Sequence, residues 1–452
     1  MKTLFEISNS GLRAAERSLS VTSNNIVNAD TPGYTRQRVE LSPNGMQKTN
    51  FHAGLGVNIV DISRLRNSMN DVLINEKKQD MAFMQEKGRV FEQLEASMAT
   101  DTGGDLDLRI SRLLDAFSSL SADPQDLSVR NNLISEATQL TAKLGDLDRD
   151  MQRTSELLMG SAIQTVDSVN TLLKDVENLN SSIKLAQAQG NEDRAGLDQR
   201  VQKLSELSEL VDFDTNITDT GAVEIQIGGI KVLDENRASV LKPDINDVDR
   251  VFRLRLPNGK AIRTVAGKLG AEIEMYEKNI PELGENLDQI AQTLVEEVNA
   301  IHSQGYGLED DTKRNFFDPN FTSASDIRVN NDILNNLNHI AASTVDGEAG
   351  NGELAASLAD LRNQPVLDGR KLVDSAVSLI SSPGSMLNNL RSQMETREAE
   401  ISMLNVQQER EAGVNIDEEL SQMIKFQNAY QGAARVMSAA QQMYDTLISI
   451  VR

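Results

Sequence analysis

GVNIDEELSQMIKFQNAYQGAARVMSAAQQMYDTLISIVR, residues 413–452, is the stretch on which the fold turns. Met423, Phe426, Tyr430, Ala433, Met437, Ala440, Tyr444, Leu447 and Val451 recur at alternating spacings of three and four. That alternation places them on one stripe of a helix, a heptad seam that needs another helix to cover it. Gly413 breaks the preceding pattern, Asn415 or Asp417 can cap the new helix, and its acidic first turn suits the positive end of the helix dipole. A helix of the same character lies at the opposite end of the chain, where Phe5, Ser8, Leu12, Ala15, Leu19, Thr22 and Ile26 repeat the three–four alternation. Neither helix has a neighbour joined by a short loop. The pattern therefore predicts a mainly α protein, a long antiparallel bundle or coiled coil built from both chain ends.

Between the ends the period changes twice. The piece GVNIVDISRL reads as a strand, with Val57, Ile59 and Asp61 on one face and Asn58, Val60 and Ile62 on the other. Helices are expected over about 67–99 and 106–120. From Pro124 to Lys184 there is no proline, and Leu133, Ala137, Leu140, Leu144, Leu147, Met151 and Leu158 keep a heptad register. Past Gly160 the stripe moves to Val166, Val169, Leu173, Val176 and Ile183, so one continuous helix would run roughly 90 Å. After Val211 the pieces VEIQI and FRLRL alternate apolar and polar residues between Thr-Gly, Gly-Gly and Asn-Gly turns, which indicates short strands. Helical pattern resumes at Gly270, and the last helix before Gly413 is expected to start near Ser385. The organisation expected is a terminal unit of 1–60 with 413–452, a discontinuous helical body of 61–210 and 276–412, and a small β-rich module of 211–275, α+β overall.

Composition narrows the function. Aromatic residues are 4% of the 452, Trp and Cys are absent, and the net charge is −23. No thiol chemistry, disulfide or Cys-based metal site is open to such a chain. The charge opposes a nucleic-acid partner, since a phosphate backbone wants a basic face. No stretch approaches the roughly 18 apolar residues of a membrane span, and the first residues lack the unbroken apolar core of a cleaved secretory signal. Residues 1–40 sum to +1 and residues 413–452 to −1, so the acidic excess lies in the middle and the ends are near neutral, which suits close packing against other chains and equally fits an accident of composition. His52, His302 and His339 lack metal-site spacing and read as surface or packing residues, and carboxylate neighbours such as Asp310 and Asp311 are what chance gives among 68 acids. No catalytic, cofactor or metal constellation is found.

One short segment stands apart, NNIVNADTPGYTRQ (24–37). Pro32 and Gly33 end the first helix in a turn, and the amides of Asn24, Asn25 and Asn28 can satisfy backbone groups left open there. Together with its flanks, SVTSNNIVNADTPGYTRQRVEL resembles the N-terminal signature of the bacterial flagellar axial proteins, the rod, hook and hook-associated family. Residues 413–452 are similar to that family's C-terminal helix. FQNAYQGAARVM, the long helical insertion and VNAIHSQGYGLEDDTKRNFFD favour its hook-associated, junction-forming branch. Asp30 stands where Asn is more usual, and the β module is smaller than in the longest members.

The resemblance implies a structural subunit, not an enzyme, that joins hook to filament. It implies that Phe5, Leu12, Ala15, Leu19 and Ile26 of the first helix pack with Met423, Phe426, Tyr430, Met437, Tyr444 and Leu447 of the last in an inner tube of subunits. The motif Asn24, Asn25, Asn28, Thr31, Pro32, Gly33, Tyr34 and Arg36 would turn the chain outward. Implied partners are further copies in a ring, the hook protein, the second junction protein (hook-associated protein 3), and a cytosolic export chaperone on the last helix. The implied location is the extracellular flagellum, reached without a cleaved signal. The alternatives left open by the residues are a free-standing coiled-coil scaffold and another axial rod or hook protein.

Overall fold

The computed structural model describes residues 2–44, 56–99, 106–246, 248–308 and 313–451. His52 and the Asp310–Asp311 pair lie outside them, as does the side chain of Val451. The order is α1 (Lys2–Val27), a hairpin of β1 (Gln37–Pro43) and β2 (Val57–Arg64), then α2 (Ser68–Ala99), α3 (Leu106–Ala122), α4 (Leu127–Ala188) and α5 (Arg194–Leu210). Six short strands follow: β3 (Asp214–Ile217), β4 (Val223–Ile227), β5 (Ile230–Leu233), β6 (Lys242–Asn246), β7 (Val251–Arg255) and β8 (Ala261–Ile262). The chain then returns through α6 (Gly267–Glu274), a π-helical turn (Met275–Asn279), α7 (Ile280–His302), α8 (Asn331–Asn335), α9 (Glu353–Asp360), α10 (Leu372–Ala412) and α11 (Ile416–Val451). Mainly α with a small antiparallel insert is thus the architecture.

The body is a helical bundle in which α2 packs along α10, α3 and α5 along α4, and α6 against α2 and α4. The 62-residue α4 is its spine, about 93 Å at 1.5 Å per residue. Every member of both stripes expected on it, from Leu133 to Ile183, is buried. The inserted strands form two antiparallel meanders, β3-β4-β5 and β6-β7-β8. Val223, Ile225 and Ile227 of one and Phe252 and Leu254 of the other turn inward and join the same core as the helices. Loop residues Phe316 and Phe317 stack edge-on 5.0 Å apart, and Phe316 meets Phe117 of α3 at 5.3 Å and His302 at 5.4 Å.

Three local expectations are corrected. Glu40 faces Asp61 but Leu41 faces Ile59, so Val60 is bulged out of the β1–β2 ladder. The bulge shifts the alternation, and the sheltered set becomes Val57, Ile59 and Ile62, with Val60 exposed. The helix after the strands starts at Gly267, whose φ of +69° and close approach to the Val211 backbone exclude a side chain. Finally α10 does not begin at Ser385. It runs through Pro383, which is buried, while Gly384 lets the helix pass a Glu95 carboxylate of α2 that a Cβ would meet at 2.5 Å. Burial of the ring against the body offsets the lost backbone bond, a cost of about 3 kcal/mol on its own.

Asparagine side chains tie extended segments to helices by a repeated device. The amide of Asn180 donates to Val223 O at 2.8 Å and accepts from Val223 N at 3.0 Å. Asn170 does the same with Leu241, and Asn299 with Phe317. Each amide replaces a missing strand, satisfying both backbone groups of one residue.

Candidate functional site

The terminal helices form a unit of their own. α11 packs along α1 in antiparallel sense, Phe5 edge-on to Tyr444 at 6.4 Å at one end and Asn25 against Glu419 at the other. None of their residues belongs to the continuous core of the body. The face of α1 that is buried is made of small and polar side chains: Ser8, Ala14, Ala15, Ser18, Val21, Thr22 and Asn25. On α11, among the described side chains, Glu419 and Ala440 alone are buried. Midway, a Cβ on Gly11 would touch Ala433 Cβ at 3.4 Å, so the helices approach closely where both residues are small.

The larger residues expected on the seam take flanking places. Ala15 is buried, while Phe5, Leu12, Leu19 and Ile26 of α1 and Met423, Phe426 and Met437 of α11 are half-buried. Tyr430, Tyr444 and Leu447 are exposed, as are Leu420, Ile424, Val436, Met443, Ile448 and Ile450. A small-residue seam stabilises little, about 0.8 kcal/mol per buried methyl-sized group, and it leaves the large apolar groups facing outward.

At the base of this pair the motif residues meet in one polar hub. Asn25, 1% exposed, uses its whole amide. It donates to Gln37 O at 2.9 Å and to Glu419 Oε2 at 3.0 Å, and accepts from Gln37 N at 3.0 Å and the Tyr34 hydroxyl at 2.8 Å. Tyr34 in turn accepts from Asn24 at 3.0 Å. Asn28 donates to the Asn24 carbonyl at 2.9 Å, and Thr31 donates to Asn28 Oδ1 at 3.3 Å. Gly33 supplies the left-handed residue of the turn, φ +78°, and Pro32 precedes it. Glu419 is closed from its other side by Arg36, whose Nε donates to Oε1 at 2.7 Å while a terminal nitrogen reaches Glu418 at 3.2 Å. Burial works against the Arg36 charge, but the two glutamates outweigh it and hold the guanidinium above its ordinary value. Burial likewise raises the Tyr34 phenol, with Asp198 and Glu419 adding to it against the Asn24 bond.

A second ring of charges fixes the hub to the body. Thr35, fully buried, gives its hydroxyl to Asp198 of α5 at 2.7 Å and its backbone N–H to the same carboxylate at 3.3 Å. Arg64 also pairs with Asp198. Arg66 forms a two-bond fork on Asp71 of α2, 2.8 Å each, and Gln408 of α10 donates to Asp71 at 2.7 Å. Arg36 N donates to Ala412 O at 3.1 Å, so the exit of α10 and the motif are stitched directly. Asn415 caps α11 through bonds to the N–H groups of Asp417 and Glu418. Helices α2, α5, α10 and α11 and the hairpin thus converge on residues 24–37, beside an open cleft of about 1300 Å³.

All the motif residues named from sequence lie in or beside this hub. Thr35, Arg64, Arg66, Asp71, Asp198, Gln408 and Glu419 were not singled out. The acids opening α11 were legible only as dipole partners, and nothing local marks Glu419 as the one that turns inward. Among the described residues no group of His, Asp and Glu side chains is arranged to hold a metal ion, and no helix is long and apolar enough to cross a membrane.

Comparison with known proteins decides what this architecture belongs to. A model of the flagellar hook-associated protein FlgK helical domain matches residues 91–317, half of the chain. The chain belongs to the FlgK family. A flagella basal body rod protein model covers residues 5–35 and a flagellar basal body rod FlgEFG protein C-terminal model covers 410–450, the two terminal segments that pair here. Flagellar hook-associated protein 1 of Bacillus subtilis is 24% identical over 98% of this chain and 97% of its own, and that of Salmonella typhimurium 23% over the whole of both. The FlgK hook junction protein of Burkholderia pseudomallei, 11% identical, superposes with a TM-score of 0.65 over 75% of this chain and 99% of that one, a likeness of fold. As a FlgK family member the chain is a flagellar hook-associated structural protein of the hook–filament junction.

Proposed function

We propose that the α1–α11 pair is the assembly element of this FlgK family member, and that the hub sets its angle to the body. Copies join side by side through the large apolar residues flanking the small-residue seam, forming a ring that continues the inner tube between the hook protein and the second junction protein, hook-associated protein 3. The observation that carries this reading is the inversion of the seam. Small residues face each other inside the pair, whereas Tyr430, Val436, Met443, Leu447 and Ile450 face outward. An apolar surface so large on a separate helical pair marks an interface. The role is structural, with no enzymatic activity. Before assembly a cytosolic export chaperone covers α11, and the subunit reaches its extracellular place without a cleaved signal.

The test is filament attachment and self-assembly of Val436→Asp, Leu447→Asp and the double variant. Apolar contacts spread over many seams predict weakening by each single change and loss in the double, with the circular dichroism of the monomer unchanged. Normal assembly by the double variant would sink the reading.

A further inference from the structure

A second groove, of about 780 Å³, adjoins the hub and lies between the end of β2, the first turns of α2, the last turns of α4, α5 and the β3–β4 hairpin. Val72, Ile183, Leu197, Val201, Leu204 and Ile217 give it apolar walls, and Arg64, Arg66 and Arg200 also line it. Its charges are not evenly matched. Asp71 is held by Arg66, Asp193 by Ser182 and the N–H of Gly196, and Asp61 and Glu192 by Arg194. Arg200, only 5% exposed, has no carboxylate within ion-pair distance among the described residues. One terminal nitrogen donates to Asn180 Oδ1 at 3.1 Å and Gly221 O at 2.7 Å. The Nε–H and the other terminal NH₂ form no bond with any described residue. Beside it, Arg64 also lines the groove, but its charge is already paired with Asp198. Burial, and then the Arg64 charge, push Arg200 down to about 10.

A buried guanidinium without a counter-ion is costly unless something supplies one. The groove is far larger than a single anion needs and falls in the size range of sites that bury most of a ligand. Along one wall runs β3, an edge strand that among the described residues pairs only with β4, with Thr215 and Ile217 lining the groove and Ile217 60% exposed. Fixed donors at the bottom, apolar walls and a free strand edge are the parts that recognise extended chain. We propose that this groove binds an extended peptide segment whose acidic side chain is held by Arg200 and whose apolar neighbours lie against the walls. The acidic side chain supplies Arg200 with the carboxylate it lacks, and the peptide backbone runs beside β3.

The experiment is calorimetric titration of the full chain with acetyl-Leu-Glu-Leu-amide, its Gln counterpart, and octanoate. The Glu peptide is expected to bind roughly ten-fold tighter than the Gln peptide, the scale of one charge-assisted bond. Arg200→Met should remove that difference. Because Arg200 also holds Asn180 and Gly221, a second variant, Ile217→Asp, places a like charge on the exposed wall without touching buried groups and should abolish binding of the Glu peptide. Equal affinity for the two peptides, no heat with either, or Glu-peptide binding that survives Ile217→Asp would overturn the proposal. Binding of octanoate without the Glu peptide would overturn it too, assigning the groove to a free carboxylic acid. Assembly through α1 and α11 does not depend on any of these outcomes.

Discussion

Asn25 and Glu419 stand 394 positions apart in the chain and share a hydrogen bond of 3.0 Å, the amide donating to a carboxylate that is 3% exposed. That bond joins the end of the first helix to the start of the last, and Arg36 completes the carboxylate's shell at 2.7 Å. Asn25→Asp removes both donated bonds and sets a second negative charge against Glu419. The expected cost to the terminal pair is about 3 kcal/mol or more, the range for an uncompensated buried charge. Hydrogen exchange should show α1 and α11 losing protection while the body keeps its own, and Glu419→Gln in the same chain should return part of the loss. Protection unchanged in the single variant would show that the hub does not hold the pair.

Gly11 sets the distance between the two helices. A methyl group there reaches Ala433 at 3.4 Å, an ordinary contact, so Gly11→Ala should be tolerated and should gain up to about 1 kcal/mol from helix propensity. Gly11→Leu cannot fit without driving α11 away. It should abolish assembly and speed proteolysis of both ends, with the melting of the body unchanged. An assembling Gly11→Leu protein would mean that the pair is not closed in the lattice.

His302 gives the body a pH dependence with a definite sign. Its Nε2 accepts from Ala341 N at 2.9 Å and its Nδ1 lies 2.7 Å from Arg314 O, an arrangement only the neutral ring satisfies. Burial first, then the charge of Arg130, push it down to about 4, against the bond to Arg314. A folded value below the unfolded 6.5 means that the stabilisation is complete above about pH 6.5 and is lost as pH falls from there through 4, about 3 kcal/mol in all. Urea unfolding near pH 7 and near pH 4.5 should differ by about 2 kcal/mol more in the parent than in His302→Gln. An equal difference in both would remove His302 as the cause.

How far the sequence reveals this fold follows from the range of the forces involved. The stripes on α4 were readable because period and burial report on the same residues, and Leu133 to Ile183 are all inside. The terminal seam was placed on the right helices, and Ser8, Ala15 and Thr22 of its stripe are buried, but Leu12 and Leu19 of the same stripe are only half-buried and Ser18, outside it, is buried. Hydrophobicity alone favours the large residues, whereas helix approach is governed by the small ones. Pro383 lies inside α10, where packing against the body overrides the local preference of proline for a helix start. The motif at 24–36 was visible, but its anchors, Asp198 and Glu419, are polar residues whose role arises only when distant elements meet. Arg200 was invisible for the same reason.

Stability should divide along the same line as the structure. No residue of α11 belongs to the continuous core, and its contacts run to α1 and the hub. Deleting residues 416–451 should therefore leave the main thermal transition within a few degrees of the parent, since a change under 1 kcal/mol moves a domain of this size little. Phe117→Ala is the contrasting case. Its ring is fully buried against Phe316, which carries the loop after α7 into the bundle, and truncation there should cost about 3–5 kcal/mol. Calorimetry of the two variants against the parent separates them. A large drop on deleting α11 would mean that the terminal pair and the body unfold as one cooperative unit, and α1 and α11 would then have to be counted as part of the body's fold.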